Sequence, residues 1–224
     1  MSTLEDVFEG SFPESQTVDS RLRGAFPPGT VPEDADIQLE PGLEEMWKVM
    51  RYWASVNCWH TSEYESAAMW RLYAPTSAAI AIRSTVGRLR TALETPPVVP
   101  PGFGGKERIF IGMIDYIDFA SQTIPDGSFA AQFYRKRRSF EHERELRAMV
   151  LQFPLSEDGH SLDLVRMPTD RGISVPANLG VLIDAIRIAP QAPRWYAELV
   201  SQVSERYNLA VTPEQSELDS KPLD

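Results

Sequence analysis

Apolar residues recur every three or four positions in two stretches of the chain, which is the spacing of one helix face. The first stretch follows Pro41-Gly42 and carries Glu44 and Glu45 in its first turn, where the helix dipole favours acids. The second lies near the end of the chain. The pattern predicts an amphipathic helix with apolar positions Leu43, Met46, Trp47, Met50, Trp53 and Ala54, and a closing helix with apolar positions Trp195, Leu199, Val203 and Tyr207.

Three shorter helices are predicted between these two. The run of Thr, Ser and Glu at 61–65 supplies capping residues for a helix through Met69, Trp70 and Tyr73, and Ser84 or Thr85 caps a helix through Leu89. A further helix is expected over 128–138.

Continuous apolar runs separate the helices and predict strands. Residues 78–82, 109–119 and 181–189 are apolar on both alternating faces, which is typical of interior strands covered by helices. Another strand is expected to end near Phe153. Shorter strands are predicted at 56–60, 162–167, 173–175 and 209–211.

The order of these elements predicts the fold class. Strands and helices interleave without a regular βαβ repeat, and no glycine-rich phosphate-binding motif is present. We therefore expect an α+β fold, with a mixed, mostly interior sheet flanked by helices. Residues 1–41 are rich in Pro, Gly, Ser and acids and predict an irregular N-terminal arm, so that 42–224 form a single α+β domain.

Composition narrows the classes of function. The net charge of −10 opposes non-specific binding to nucleic acid or anionic lipid. The single cysteine, Cys58, permits no intrachain disulfide, and with only three spaced histidines we expect no metal site. The first residues carry no basic, apolar signal pattern and no apolar run reaches membrane-spanning length, which predicts a cytoplasmic protein without membrane contact.

The densest charge pattern lies at 135–147 and offers a candidate catalytic site. In an extended chain Glu141, Glu143, Glu145 and Arg147 would share one face, and neighbouring carboxylates raise the proton affinity of at least one of them, as a general acid or base requires. The catalytic candidates are Glu143 and Glu145, with Arg147 in substrate binding. In a helix the same residues would instead form surface ion pairs.

Two neighbouring patterns allow ligand contacts. The basic run 135–138 suits a phosphate-bearing ligand, or equally a solvated helix end. Trp59, His60, Trp70 and Tyr73 could line a cleft for a planar ring such as a nucleobase or nicotinamide, although such aromatic residues are commonly part of a core.

A set of short motifs resembles the bacterial domain-of-unknown-function family 2971. The motifs stand in the family's order over roughly residues 45–220, and an early Asp6-Val7-Phe8-Glu9-Gly10 is similar to the family's opening, without the strand and helix that normally precede it. The motifs are Met69-Trp70-x-x-Tyr73-Ala74, the small apolar strand 79–82, Phe140-x-x-Glu143-x-Glu145-x-Arg147 and Ile186-Arg187-Ile188-Ala189-Pro190.

A more distant similarity, to ADP-ribosyltransferase-like proteins, rests on the Glu143-x-Glu145 pair. It implies an NAD or nucleotide-handling transferase or glycohydrolase, in which a glutamate stabilises an oxocarbenium-like transition state. NAD is the cofactor that this similarity suggests. The alternative is a non-catalytic module that binds a protein partner, for which Glu143 and Glu145 should be neutralised by Arg or Lys. The third hypothesis is nucleic-acid binding through 135–138.

Overall fold

The computed structural model describes residues 6–13, 16, 43–93, 109–124, 130–152, 156, 163, 165–169, 172–220 and 222. The chain divides into two compact units, and each is described by itself. Unit 1 comprises Met1–Thr61 and Val99–Ser174, and unit 2 comprises Ser62–Val98 and Val175–Asp224.

In the described residues, the main sheet of unit 1 consists of three antiparallel strands. Strand β6 (Glu145–Leu151) is central and buried along its whole length. It lies between β1 (Ala54–His60) and β3 (Ile109–Met113). Because side chains alternate along a strand, Glu145, Arg147, Met149 and Leu151 share one face of β6.

Helix α1 (Leu43–Trp53) runs directly into β1 and covers the apolar half of that face. Its Trp47 and Met50 are buried against Met149, Leu151 and Phe133. The predicted amphipathic helix is therefore present. Its apolar side chains pack against the end of β6 that carries Met149 and Leu151, and the charged residues of the same face, Glu145 and Arg147, lie at the other end.

A second, parallel strand pair in unit 1 takes the place of the later part of the predicted helix over 128–138, which is wrong for residues 135–137. After a short 3₁₀ helix (Ala131–Tyr134) the chain forms β5 (Arg135–Arg137), which pairs with β4 (Asp115–Ile117). The alternation of a strand turns Lys136 toward Glu143, whereas its neighbours Arg135 and Arg137 pair with Asp115 and Asp6. The single strand predicted over 109–119 is correspondingly divided into β3 and β4.

Unit 2 contains a mixed sheet in the order β2-β7-β8. The central strand is β7 (Ala185–Ile188). Strand β2 (Ile80–Arg83) pairs with β7 antiparallel on one side, and β8 (Glu214–Gln215) pairs with β7 parallel on the other side. The helices are α2 (Ala67–Tyr73), α3 (Val86–Ala92), α4 (Leu179–Leu182) and α5 (Arg194–Arg206).

The core of unit 2 forms between β7 and α5. Ile186 and Ile188 of β7 are buried with Ile183 and with Val200 of α5. The remaining residues at the contact are half-buried, namely Leu182, Ala192, Tyr196, Ala197, Leu209 and Val211. The closing helix is thus present as predicted, but the side chains that it buries are not the predicted ones.

Several predicted strands differ in the structure. Strand β2 is at the edge of its sheet and its four residues are exposed, so the predicted interior position of 78–82 is wrong. The run 181–189 begins as helix α4, because Asn178 caps it by accepting from the N–H of Val181, and becomes a strand only at Ala185. The described residues of 162–167, 173–175 and 209–211 form no strand.

The predicted α+β class is confirmed, since helices and small mixed sheets build both units. The described residues of the N-terminal arm, 6–13 and 16, form turns and no regular helix or strand. The boundary at 41 and the single domain from 42 onward stay predictions. None of the helices within the described ranges is both long and apolar enough to cross a membrane.

Gly10→Ala is expected to destabilise unit 1. Gly10 has φ +69°, and a Cβ there would lie 2.8 Å from Cε1 of Phe133, which is fully buried in the core. We expect a loss of about 2 kcal/mol or more in the free energy of unfolding measured in urea. Gly87→Ala is the control, because its Cβ meets nothing closer than 3.9 Å, and it should be neutral or stabilising.

Candidate functional site

The charged end of the main sheet brings four of the predicted site residues together. Glu145 and Arg147 point to the same side of β6. The register with β1 places His60 opposite Glu145 and Cys58 opposite Arg147, so their side chains share that face. Glu143 precedes β6 at the end of a 3₁₀ helix (Arg138–Glu143).

The turn into β6 is made by Arg144, whose φ of +42° is left-handed. The backbone carbonyl of Arg144 accepts from both the N–H and the hydroxyl of Thr61. This turn is why the predicted extended face of Glu141, Glu143 and Glu145 is wrong in part, since only Glu145 lies in the strand.

Lys136 joins Glu143 and Glu145 at the centre of the site. Its Nζ lies 2.5 Å from Glu143 Oε2 and 3.5 Å from Glu145 Oε2. The inward side of β5 delivers this ammonium group, which is buried with an exposure of 4%. A single cation therefore contacts both of the predicted catalytic carboxylates.

Arg147 neutralises the same site from the strand itself. Its Nε and Nη2 donate to the two oxygens of Glu145 at 2.7 and 2.9 Å, a bidentate pairing. Its Nη1 donates to the carbonyl of Phe133 at 2.7 Å. With an exposure of 1%, the guanidinium has its remaining contacts inside the protein.

Glu9 completes the group from the N-terminal turn of the chain. Its Oε1 lies 3.0 Å from Lys136 Nζ and its Oε2 lies 3.3 Å from Arg147 Nη2. We call Glu9, Lys136, Glu143, Glu145 and Arg147 the buried ion network; each is at most 6% exposed. Three carboxylates against two cations leave one formal negative charge.

The pKa directions follow from burial and pairing. Burial alone would raise the pKa of Glu145, but the hydrogen bond and charge of Arg147 outweigh it and the pKa is lowered. Burial alone would lower the pKa of Lys136, but its bonds to Glu143 and Glu9 raise it. Burial raises the pKa of Glu9 in spite of both cations. The network thus keeps Lys136 and Glu145 charged at neutral pH.

Three further side chains border the network. The N–H of Glu145 donates to the hydroxyl of Tyr116 at 2.8 Å, and Nδ1 of His60 lies 2.6 Å from the carbonyl oxygen of Glu143. Although part of Cys58 is exposed, withdrawal of its thiol from water, with Glu145 beside it, raises the pKa of Cys58 to about 12. The thiol is therefore protonated at neutral pH and is a poor nucleophile.

The ion pairs of the network limit the reactions that its carboxylates can support. A general base needs a carboxylate within reach of a substrate proton, whereas the oxygens of Glu145 face Arg147 and Lys136 in the interior. Over the described ranges, no group of three or more His, Cys, Asp or Glu is placed to hold a metal ion.

The basic run 135–138 is not a helix end, and most of its charge is paired. Arg135 contacts Asp115 at 3.0 Å, and Arg137 contacts the fully buried Asp6 at 2.8 Å. The guanidinium of Arg137 also lies over the ring of Phe8, with its Cζ 4.7 Å from the ring centre. Only Arg138 is an exposed cation of this run.

The predicted aromatic residues are divided between the two units. Trp59 is opposite Leu146 in the register and so lies on the other face of the sheet from His60. Trp70 and Tyr73 are on α2 in unit 2, where the indole N–H of Trp70 donates to Glu65 at 3.1 Å. A cleft shared by all four aromatic residues stays a prediction.

The sequence interpretation missed Asp6, Glu9 and Lys136 as members of the charged site. Lys136 was treated only as part of a basic run, and Glu9 is 127 or more residues from its partners in sequence. In the sequence, the available signal for Asp6 and Glu9 was the Asp6-Val7-Phe8-Glu9-Gly10 segment, which carries both acids within the arm predicted to be irregular.

Comparisons with protein-family models, with curated proteins and with solved structures find no match to this chain.

Lys136→Met is expected to destabilise the protein strongly. Removal of one partner from a buried charge cluster leaves carboxylates without a counter-charge and costs about 3–5 kcal/mol. The free energy of unfolding in urea measures it. The matched control is Arg138→Met, two residues away and exposed, which should change stability by less than about 0.5 kcal/mol. Equal effects of the two variants would contradict the structural role of Lys136.

The contacts of Glu65 in unit 2 are expected to make the stability of the protein sensitive to acid. Burial would raise the pKa of Glu65, but bonds from Ser216, the N–H of Glu217 and Trp70, with Arg187 nearby, lower it below 4.5. A lowered carboxyl pKa stabilises the fold above the unfolded-state value, and this contribution is lost as the pH falls through the folded-state value.

In Glu65→Gln, we therefore expect lower stability at neutral pH and a smaller decrease between about pH 5 and about pH 2 than in the unsubstituted chain. Thermal unfolding at a series of pH values measures both. Parallel pH profiles of the two proteins would contradict the role of Glu65.

Proposed function

We propose that this chain is a non-catalytic protein-interaction module. The observation that supports the proposal most directly is the pairing of Glu143 and Glu145 with Lys136 and Arg147 in the interior. In this proposal the buried ion network stabilises unit 1, and the exposed surface performs the function.

The buried state of the two glutamates argues against a catalytic role. Their exposures are 6% and 4%, and among the described residues their ion pairs are to Lys136 and Arg147 of the chain itself. A glutamate that stabilises an oxocarbenium ion must face the sugar, and a substrate cation would have to displace Lys136 or Arg147 at a cost of several kcal/mol.

Exposed apolar side chains in unit 2 support the interaction function. In unit 2, helix α5 alone exposes Trp195 by 59%, Leu199 by 45% and Val203 by 45%, and Tyr207 immediately after it by 67%. Contiguous exposed apolar residues of this size are typical of protein-binding surfaces. Aromatic residues at such surfaces contribute much of the binding energy.

The ADP-ribosyltransferase-like and nucleic-acid hypotheses have less support. The first needs an accessible Glu143-x-Glu145 pair, and both acids are buried. The second needs exposed cations, whereas Lys136 is buried and both Arg135 and Arg137 are paired with acids. The net charge of −10 also opposes binding to phosphate.

The experiment is incubation of the full chain with NAD, with nicotinamide release followed by chromatography and NAD binding followed by calorimetry. We expect neither release nor binding. Nicotinamide release that is absent in Glu145→Gln, with the far-ultraviolet circular dichroism of the variant unchanged, would overturn the proposal. Glu141→Gln is the matched control, because Glu141 is an exposed acid of the same segment.

A further inference from the structure

The N-terminal turn, residues 6–10, supplies one member of the buried ion network, and the other four members lie within residues 136–147. The turn is closed by a backbone bond in which the N–H of Glu9 donates to the carbonyl of Asp6 at 3.0 Å. Glu9 is 2% exposed, whereas Val7 in the same turn is 69% exposed. Glu9 therefore ties a segment without regular structure to a charge cluster in the interior.

Both cations that Glu9 contacts lie closer to another carboxylate. Lys136 Nζ is 3.0 Å from Glu9 Oε1 but 2.5 Å from Glu143 Oε2. Arg147 Nη2 is 3.3 Å from Glu9 Oε2, and the same nitrogen donates to Glu145 at 2.9 Å. Each oxygen of Glu9 thus has a cationic contact that is longer than the one the same cation makes to Glu143 or to Glu145.

The network is unbalanced by one charge when its three carboxylates are all ionised. Two cations face three carboxylates, and each member of the network is at most 6% exposed. An uncompensated charge in the interior is costly, because water does not screen it there. One bound proton removes the excess and leaves two carboxylates for Lys136 and Arg147. Because the contacts of Glu9 are the longer ones, a proton on Glu9 gives up the least pairing.

The groups around Glu9 agree with this assignment of the proton. Burial raises the pKa of Glu9 and the negative charge of Glu145 raises it too, whereas Arg147 and Lys136 lower it by less. Burial raises the pKa of Cys58 to about 12, so this thiol adds no charge at neutral pH. The other charged or titratable side chains on the surrounding elements are Glu143, Arg51 of α1, His60 of β1, Tyr116 of β4, and the pair Asp6 and Arg137.

We infer that Glu9 is a proton switch that sets how firmly the N-terminal turn is held against unit 1. With a proton on Glu9 the network is balanced and the turn is held firmly. Without the proton the turn is held less firmly, because the excess charge gains hydration when Glu9 leaves the interior. The turn keeps two other contacts in both states, since Arg137 binds Asp6 at 2.8 Å and Arg51 donates to the carbonyl of Val7 at 2.9 Å.

The switch has a definite direction with pH. A carboxyl whose pKa is raised in the folded protein contributes stability that is fully present below its ordinary value of 4.5 and is lost as the pH rises through the folded-state pKa. The N-terminal turn is therefore held most firmly in mild acid. The contribution of Glu65 in unit 2 has the opposite sign, because the pKa of Glu65 is lowered. The switch goes beyond the proposed function and does not depend on it.

The experiment is amide hydrogen exchange of the full chain, followed by NMR at pH values from about 4.5 to about 8. The reporters are the N–H groups of Glu9 and Ser11, which donate to the carbonyls of Asp6 and Phe8 at 3.0 Å each. We expect their protection factors to fall as the pH rises from 4.5 to the folded-state pKa of Glu9, by up to about tenfold per pH unit, which is the linkage of one proton. In Glu9→Gln this fall should be absent, because the amide carries no charge at any of these pH values.

Glu141→Gln is the matched control, because Glu141 is an exposed acid of the 3₁₀ helix that also carries Glu143. The pH dependence of protection in this variant should equal that of the unsubstituted chain. A second measurement needs no variant: the ¹³C chemical shift of the Glu9 carboxyl, assigned in the unsubstituted chain, is followed over the same pH range. We expect its midpoint above 4.5, the ordinary value for this group.

Two results would rule out the switch. One is a protection factor with the same pH dependence in Glu9→Gln as in the unsubstituted chain. The other is a Glu9 carboxyl that titrates at or below 4.5. If Glu9→Gln does not fold, the unsubstituted chain decides by itself: a midpoint above 4.5 with protection that falls over the same pH interval supports the switch, and protection that does not follow the titration of Glu9 rules it out.

Discussion

The buried guanidinium of Arg147 is the group on which the rest of unit 1 depends. It is 1% exposed and binds Glu145 on its own strand, Glu9 from the N-terminal turn and the carbonyl of Phe133. A charge withdrawn from water in this way is tolerated only when its donors are bonded. The position of Arg147 therefore requires that segments far apart in sequence meet at one end of β6.

The N-terminal turn is held in place by its contacts to these buried charges. Asp6 and Glu9 are fully buried, although the segment contains no regular helix or strand. Asp6 accepts from the N–H and the side chain of Arg137, and Glu9 binds both cations of the network. Gly10 lets the chain pass close to Phe133. Ion pairs thus hold this segment against unit 1, as apolar packing holds α1.

The two units differ in where their charged and apolar side chains lie. Unit 1 holds the five charged side chains of the buried ion network in its interior, where Glu143 and Glu145 pair with Lys136 and Arg147. Unit 2 has a small apolar core, around Ile186 and Val200, and leaves large apolar side chains on α5 exposed. The physical contrast explains why we propose binding for this protein and why unit 2 supports that proposal.

The sequence by itself determined the α+β class, helix α1, helix α5 and the crowding of charge before β6, since periodicity and local charge are properties of short segments. Only the tertiary structure decided that Lys136 belongs to a strand, that Glu9 contacts it and that Trp195 of α5 faces outward. The physical reason is that an amphipathic pattern shows which side chains are apolar but not which neighbour covers them. Whether a carboxylate is neutralised likewise depends on residues that the sequence places far away.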